Sequence, residues 1–492
     1  MSSWIDRRRA AVLLHISSLP GPFRQGVLGP EALAFIDDIR SGGFSVWQFL
    51  PLGPTHGHGS PYESLSSFAG NPDFIDLREC VSEGWLPAAR LQADTDGPEA
   101  HADLRREASR GFWLQAERDR QLAADVEAFR QGHAWWLDDF SLFSALKAVL
   151  HDQPWWSWPK PLRDRQPRAL AHARSEHAPL IRQCVFEQML FERQWKRLKA
   201  HAEDRDVLLF GDLPIYVAHD SADVWSRREF FTVNKLGLCD EVAGVPPDYF
   251  SETGQRWGNP LYRWDRMEAD GFDWWVHRIR TRLERMHLLR IDHFRGLESF
   301  WAIPGESQDG MVGTWRRAPG DALLQTLNDR LGGLPLIAED LGIITPEVNA
   351  LREHFGLPGM KILQFAFDGN PGNPYLPAHH VPDSVVYTGT HDNDTTVGWF
   401  TSIPPETRAY TLDVLSAKER DMPWAMTEAA LASPSKLAVI PMQDLLGLGS
   451  EARMNLPGSL DGNWIWRMQA SPEALSRVWH KARGLNRQYR RS

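Results

Sequence analysis

Short apolar runs alternate along the chain with amphipathic helical stretches and Gly/Pro punctuation. Eight of these runs have the length of strands buried on both faces: Ala11–His15, Ser45–Leu50, Val207–Leu213, Leu288–Asp292, Leu334–Asp340, Lys361–Phe365, Ser384–Thr388 and Leu437–Gln443. Between them several helices are legible. Phe272, Trp275, Val276, Ile279, Leu283 and Met286 repeat at helical spacing. Asp321 is placed to cap a helix carrying Leu324 and Leu327 that closes at Gly332-Gly333, and Thr345-Pro346 reads as an N-cap followed by Pro at the first helical position. Strands alternating with helices predict a (β/α)₈ barrel, a TIM barrel, with a doubly wound sheet as the structural alternative.

Two segments break the alternation. Residues 83–204 are polar, rich in Arg and Ala, and helical in period through Leu142, Leu146, Val149 and Leu150, so they predict a mainly helical insertion. Residues 244–264 carry Pro and Gly at a spacing that predicts an irregular loop, and its Tyr249, Phe250 and Trp257 make it a candidate cover for a substrate. A barrel takes ~250 residues before insertions, so the 492 residues predict one decorated barrel over 1–492 rather than several domains.

Composition narrows the function class. The balance of 54 Lys+Arg against 64 Asp+Glu argues against a nucleic-acid binder. Three Cys, at 80, 184 and 239, lie too far apart for a cysteine-rich metal site and suit a reducing compartment, so the cytoplasm is the expectation. No run of apolar residues is long enough to span a membrane, and Ala10–Leu14 is too short for a signal-peptide core. The unusual count is 22 Trp beside 23 Phe and 8 Tyr. Each Trp could be ordinary core, but together they suggest a surface for a ligand with apolar faces and polar edges, as sugars have.

Barrel enzymes place their chemistry at the C-terminal ends of the strands. There the chain carries Arg290-Ile-Asp292-His293, Glu339-Asp340-Leu-Gly342, His391-Asp392-Asn393-Asp394 and Gly211-Asp212. Strand alternation puts Arg290 and Asp292 on one face, and the guanidinium is expected to keep Asp292 ionised, as a nucleophile must be. Glu339 shares the cavity with other acids, which raises its pKa toward that of a general acid. Two carboxyl groups under opposite pressures point to glycosidic-bond chemistry, with Asp392 available for sugar hydroxyls or a developing positive charge. Arg290–Asp292 could instead be only a buried ion pair, and His293 and His391 ordinary core histidines. Asp340 reads as a structural partner and Asp394 as a loop cap. His56-Gly-His58 has a metal-like spacing, but zinc-hydrolase, phosphate-loop and dinucleotide motifs are absent. A metal-dependent barrel hydrolase is the remote alternative.

These segments, taken in order, resemble the amylomaltase-type 4-α-glucanotransferases (disproportionating enzymes, glycoside hydrolase family 77). The resemblance runs from Ile16-Ser-Ser-Leu-Pro-Gly-Pro22 through Gly59-Ser-Pro-Tyr62, Phe68-Ala-Gly-Asn-Pro72, Gly211–Val217 and Asp220–Trp225. It continues through 246–264, Arg290–Arg295, Ala338–Gly342, Gly389–Thr396, Met454–Gly458 and Gly462–Arg467. It implies a barrel of the α-amylase-like clan, with Asp292 as nucleophile, Glu339 as general acid/base and Asp392 as transition-state stabiliser. It places Tyr62, Arg290, His293 and His391 around the transferred sugar, Asp212 in support, and Asp248, Tyr249, Phe250, Gln255 and Trp257 over the acceptor. It implies no cofactor and no metal. The expected partners are α-1,4-glucans: maltooligosaccharide donors, with a glucan or glucose as acceptor. An α-glucan hydrolase on the same scaffold stays open, because the acid/base machinery does not separate the two.

Overall fold

The computed structural model describes residues 7–93, 98–247, 251–459 and 461–492. Its strands are β1 (Arg9–Leu13), β2 (Val46–Gln48), β3 (Leu208–Pro214), β4 (Glu241–Val245), β5 (Gln255–Pro260), β6 (Leu288–Asp292), β7 (Ser299–Pro304), β8 (Thr314–Arg317), β9 (Leu336–Ala338), β10 (Gly359–Ile362), β11 (Ser384–Tyr387) and β12 (Leu437–Pro441). Eight of them pair in parallel in the order β10-β11-β12-β1-β2-β3-β6-β9. The Ala338 N–H donates to the Pro358 carbonyl, just ahead of β10, at 3.0 Å, which joins the two ends and closes a barrel. All eight predicted strands are present in this ring.

Side-chain alternation divides the barrel cleanly. Ala11, Leu13, Val46, Phe210, Leu288, Ile337, Met360, Ile362, Val385, Tyr387, Leu437 and Val439 form a separate interior cluster. Continuing the same inward phase toward the C-terminal ends gives Gln48, Asp212, Arg290, Asp292 and Glu339. The apolar filling therefore turns polar at one mouth, and the candidate site residues gather there. The alternate residues face a second core shared with the helices outside, among them Pro30–Ser41, Asp273–Arg285, Gly320–Leu331 and Pro472–Gln488.

The connection from β2 to β3 runs through the helices Ala88–Ala93, Pro98–Ala116, Arg120–Val149, Lys160–Arg163, Pro167–Glu176 and Ala178–Asp204. The last of them, Ala178–Asp204, packs on β3 and on the segment that leads away from β2. Gln188 holds the Gly70 peptide from both sides, accepting from its N–H at 2.8 Å and donating to its carbonyl at 2.9 Å. Gln194 does the same for Asp76 at 2.9 and 3.0 Å. Gly70 has to be glycine: a Cβ there would sit 2.2 Å from the Phe191 ring. On the other flank, helix Asp273–Arg285 sends Arg278 to the Pro214 and Ile215 carbonyls at 2.7 and 2.8 Å, and Arg282 to the Ser67 carbonyl at 2.8 Å. Buried guanidinium groups thus pin both the end of β3 and the loop that carries Tyr62.

Several expectations need correcting. The stretch 244–264 is not wholly irregular. β4 and β5 form an antiparallel pair with a register shift between Val242 and Gly244, and with β7 and β8 they make a four-stranded sheet in the order β5-β4-β7-β8. Gly244 permits this, since a Cβ would meet the Gln255 carbonyl at 2.1 Å. The first barrel strand starts at Arg9, whose buried guanidinium pairs with Asp206 at 3.2 Å, so a charged residue hid the strand start. The sixth starts at Gly359, where the Asp340 carboxylate packs so closely that a Cβ would lie 2.1 Å from it; Leu363–Phe365 turn into a 3₁₀ helix. Asp321 lies in the first turn of its helix and is not its cap. Ten of the 22 Trp are buried core, with Trp47, Trp155, Trp195, Trp225 and Trp275 fully buried.

Candidate active site

Asp212 on β3 and Arg290 on β6 are cross-strand partners in the ladder. The Arg290 guanidinium bridges two carboxylates, Asp212 Oδ2 at 2.6 Å and Asp292 Oδ1 at 2.7 Å. The Tyr62 hydroxyl donates to the same Asp212 oxygen at 2.7 Å. Arg290 is 4 % exposed, and Asp212 is 1 % exposed. The fork of Arg290 thus fixes Asp292 through one oxygen.

The chain reverses immediately after Asp292. His293 adopts the left-handed conformation, with φ 53° and ψ 51°, at a cost of about 1–2 kcal/mol for a residue with a Cβ. This turn aims the His293 N–H at Glu339 Oε2, 2.7 Å away, while the Leu341 N–H donates to Oε1 at 3.0 Å. Glu339 itself follows β9, and its N–H donates to the Ile291 carbonyl at 3.0 Å. Two adjacent strands therefore deliver the two acids, and the backbone of one holds the side chain of the other.

The third acid comes from the loop after β11. Asp392 Oδ1 accepts from Asn455 Nδ2 at 2.6 Å and lies 3.3 Å from His391 Nε2. The Asp392 carbonyl accepts from Arg453 at 2.6 Å. The His391 ring stacks on Tyr62 with centroids 5.1 Å apart and 13° between planes, and Trp464 leans on both at 6.0 Å. On the other side the Trp257 ring meets His293 edge-on at 4.7 Å, and its Nε1 donates to Gln255 Oε1 at 3.1 Å. Tyr62, Asp212, Gln255, Trp257, Arg290, Asp292, His293, Glu339, His391 and Asp392 are thereby joined by direct contacts around one mouth. Asp248, Tyr249 and Phe250 lie outside the described residues.

Electrostatics separate the two central acids. Burial pushes Glu339 up to about 8, with Arg290 pulling it down and Asp292 pushing further up. Burial also pushes Asp292 up, to about 6, against the pull of Arg290 and with Asp212 and Asp392 adding to the rise. The expectation that Arg290 alone would hold Asp292 low is corrected here. One guanidinium serves several carboxylates, and desolvation is the larger effect. The order survives, with Asp292 the more acidic group and Glu339 the one protonated at neutral pH. Burial holds His293 down to about 3 and lowers His391 as well, so both rings are neutral at pH 7 and act as hydrogen-bonding groups.

The remaining candidates fall outside this cluster. Asp340 accepts from the Met360 N–H at 2.7 Å and pairs with Arg352 at 3.3 Å, a structural role. Asp394 accepts from Ser450 Oγ at 2.6 Å and the Thr395 N–H at 2.7 Å, and so braces its loop. His56 and His58 stack on each other at 5.9 Å, and His58 pairs with Glu63 at 2.8 Å. Among the described residues no group of three or more His, Cys, Asp or Glu side chains is placed to hold a metal ion. Sequence reasoning did not single out Asn455, Arg453 or Trp464 as site residues. Their signal was that Asn455 and Trp464 lie in Met454–Gly458 and Gly462–Arg467, two of the segments that carry the resemblance.

Residues 14–472 match the family described as 4-alpha-glucanotransferase. The chain belongs to the 4-alpha-glucanotransferase family. It is 48 % identical to the 4-alpha-glucanotransferase of Thermus thermophilus over 493 aligned positions, covering 96 % of this chain and 97 % of that one. It is 43 % identical to a chloroplastic/amyloplastic 4-alpha-glucanotransferase of Arabidopsis thaliana, covering 95 % of this chain and 82 % of the plant protein. Among solved structures, amylomaltase from Streptococcus agalactiae in complex with acarbose superposes with a TM-score of 0.95 at 34 % identity, covering 99 % of this chain and all of that one (100 %). Amylomaltase from Corynebacterium glutamicum, at 19 % identity, shares the fold with a TM-score of 0.77, over 98 % of this chain and 75 % of the other. The expected family and barrel are both found.

Proposed function

We propose that this 4-alpha-glucanotransferase moves segments of α-1,4-glucans by a retaining, two-step displacement, with Asp292, Glu339 and Asp392 as its working acids. Asp292 attacks the anomeric carbon of the donor through Oδ2, which carries no protein hydrogen bond among the described residues, while Arg290 holds Oδ1. Glu339, protonated at neutral pH, gives its proton to the departing glycosidic oxygen. The bond between Asp292 and the anomeric carbon forms as the bond to the leaving oxygen breaks. The shortened glucan departs with its new hydroxyl. Glu339, now ionised, takes the proton from the 4-hydroxyl of an acceptor glucan or glucose, which attacks the same carbon and releases Asp292. Asp392, its carboxylate oriented by Asn455, sits where it offsets positive charge on the sugar ring.

What supports this most is the paired environment of Asp292 and Glu339. Their side chains come from neighbouring strands, joined by the His293 N–H bond to Glu339, and their pKa values stand near 6 and near 8. Acarbose, bound by the Streptococcus agalactiae protein, is carried over as a ligand of this cleft. Tyr62 and His391, stacked, form one wall for the sugar, and Trp257 with Gln255 the acceptor side, where closure over the sugar excludes water. The three cysteines are all free, which suits a reducing compartment and supports a place in the cytoplasm. The deciding experiment incubates purified enzyme with maltotriose alone. Glucose plus a ladder of longer maltooligosaccharides at constant total reducing ends supports transfer. Shorter sugars with rising reducing ends make the enzyme a hydrolase, and sensitivity to chelators would indicate a metal.

A further inference from the structure

Asp444 lies on the short helix Met442–Leu446 that follows β12, and it is 1 % exposed. Nothing in the sequence marks it, and it touches none of the residues assigned to the sugar. Its carboxylate nevertheless takes three short hydrogen bonds. Thr388 Oγ1 donates to Oδ2 at 2.6 Å, Thr396 Oγ1 donates to Oδ2 at 2.7 Å, and the Thr396 N–H donates to Oδ1 at 2.7 Å. Thr388 and Thr396 are themselves fully buried.

The two threonines are not an arbitrary pair. Thr388 is the residue after β11, where the barrel wall ends. Thr396 opens the helix Thr396–Ser402. Everything between them, residues 389–395, is the loop that carries His391 and Asp392 into the mouth. One carboxylate therefore binds the last residue before that loop and the first residue after it. A loop whose ends are held to a common anchor has far fewer shapes open to it than one held at a single end.

The interior of the loop is braced from the same direction. Asn393 Oδ1 accepts from the Thr390 N–H and hydroxyl at 2.8 and 2.9 Å, and Gln364 Nε2 donates to the Asp394 carbonyl at 2.8 Å. Gln364 also reaches across the turn, its backbone N–H donating to the Thr388 carbonyl at 3.3 Å, but the Asp444 clasp takes in Thr396 as well and so spans the whole loop. A buried carboxylate is expensive to desolvate, and here its donors all come from one functional loop rather than from a neighbouring cation. Closing an ordinary loop on the outer face would not require a carboxylate at this depth.

We infer that Asp444 is a positioning residue of the transfer reaction, acting through Asp392 by clasping the two ends of the loop that presents it. This rests on the role given to Asp392 above. The inference concerns no contact with substrate. It requires that loosening the clasp lowers the rate of the chemical steps while leaving the binding of the rest of the glucan largely in place.

The test compares Asp444→Asn, Asp392→Asn and the double variant with the parent enzyme in maltotriose disproportionation, well below the melting temperature of each. Asp444→Asn keeps the shape but turns an amide N–H₂ toward donor groups. Misplacement of a reacting group by about 1 Å costs on the order of 100-fold, so kcat is expected to fall about 10- to 100-fold with KM changed less than about 3-fold. In the Asp392→Asn background the same substitution is expected to add less than about 3-fold, because the carboxylate it positions is gone. An unchanged kcat in folded Asp444→Asn would overturn the inference. So would a full multiplicative loss in the double variant, which marks a general structural role. A fully active Asp392→Asn would instead remove the role of Asp392 itself. If Asp444→Asn does not fold, Thr396→Val and Thr388→Val each remove one hydroxyl from the clasp. The same drop in kcat at constant KM is expected from them, and full activity in both would overturn the inference.

Discussion

Replacing Arg290 with Gln removes the one guanidinium shared by Asp212 and Asp292 while keeping much of the side chain's length. In the proposed mechanism Asp292 must be ionised to attack and Glu339 protonated to donate. Activity therefore falls as pH drops through about 6 and again as it rises through about 8. Because the two groups interact, these limbs belong to the pair. The Arg290 ion pairs are 2.6 and 2.7 Å in length, so the charge centres lie roughly 4 Å apart; at an effective dielectric of about 20 that interaction is about 4 kcal/mol, or about 3 pH units. The Asp292 side chain retains 31 % exposure to the cleft, and Arg290 divides its charge with Asp212, so the realised shift is smaller, about 1–3 units upward. A 2-unit shift leaves about 1 % of Asp292 ionised at pH 6 against about half in the parent, a loss of roughly 50-fold from ionisation alone. The assay is kcat/KM for maltotriose from pH 4.5 to 9.5, on protein checked for folding by circular dichroism, since leaving the buried Asp212 without its guanidinium costs about 3–5 kcal/mol. Arg290→Lys keeps the charge without the fork and is expected to return the acid limb partway. An acid limb that stays within about 0.3 unit of the parent in Arg290→Gln would refute the electrostatic reasoning, however large the pH-independent loss.

Two further outcomes follow from the same geometry. Burial raises Glu339 in the folded state from 4.5 to about 8, so the fold favours its neutral form. The stability associated with that proton is complete below about pH 4.5 and is lost as pH rises toward 8, up to about 5 kcal/mol in total. Glu339→Gln is therefore expected to melt higher than the parent, by a margin larger at pH 8.5 than at pH 5, while transfer falls by about 1,000-fold; thermal melts at the two pH values read the margin. Tyr62→Phe removes the 2.7 Å donor to Asp212 but keeps the ring stacked on His391, so kcat/KM is expected to fall about 10-fold, with the acceptor-length profile unchanged in a product-ladder assay.

The barrel was legible because its strands are short apolar runs whose ends turn polar, and Arg290, Asp292, Glu339 and Asp392 were legible because charges at such ends stand out. What stayed hidden had ordinary residue types or distant neighbours. Arg9 and Gly359 begin strands although neither favours one, because an ion pair and a close carboxylate decide there. The four-stranded sheet was missed because Pro and Gly in Gly244–Pro260 read as breakers, whereas Gly244 marks a bulge and Pro260 ends an edge strand. The direction of the Asp292 shift was misjudged because pairing with Arg290 is visible in the sequence and burial is not. Asn455, Arg453 and Asp444 reach the Asp392 loop from segments far along the chain, and only the folded barrel brings them there.

The central claim is that Asp292 carries the sugar between donor and acceptor. A maltosyl fluoride of α configuration needs little acid help to leave, so Glu339→Gln is expected to complete the first step and stall at the second, where a base must activate the acceptor. Peptide mass spectrometry of that reaction is predicted to find a maltosyl ester on the peptide containing Asp292, with its amount falling when azide, which needs no base, is added. An adduct on any other residue, or no adduct with release of a β-configured product, would contradict it.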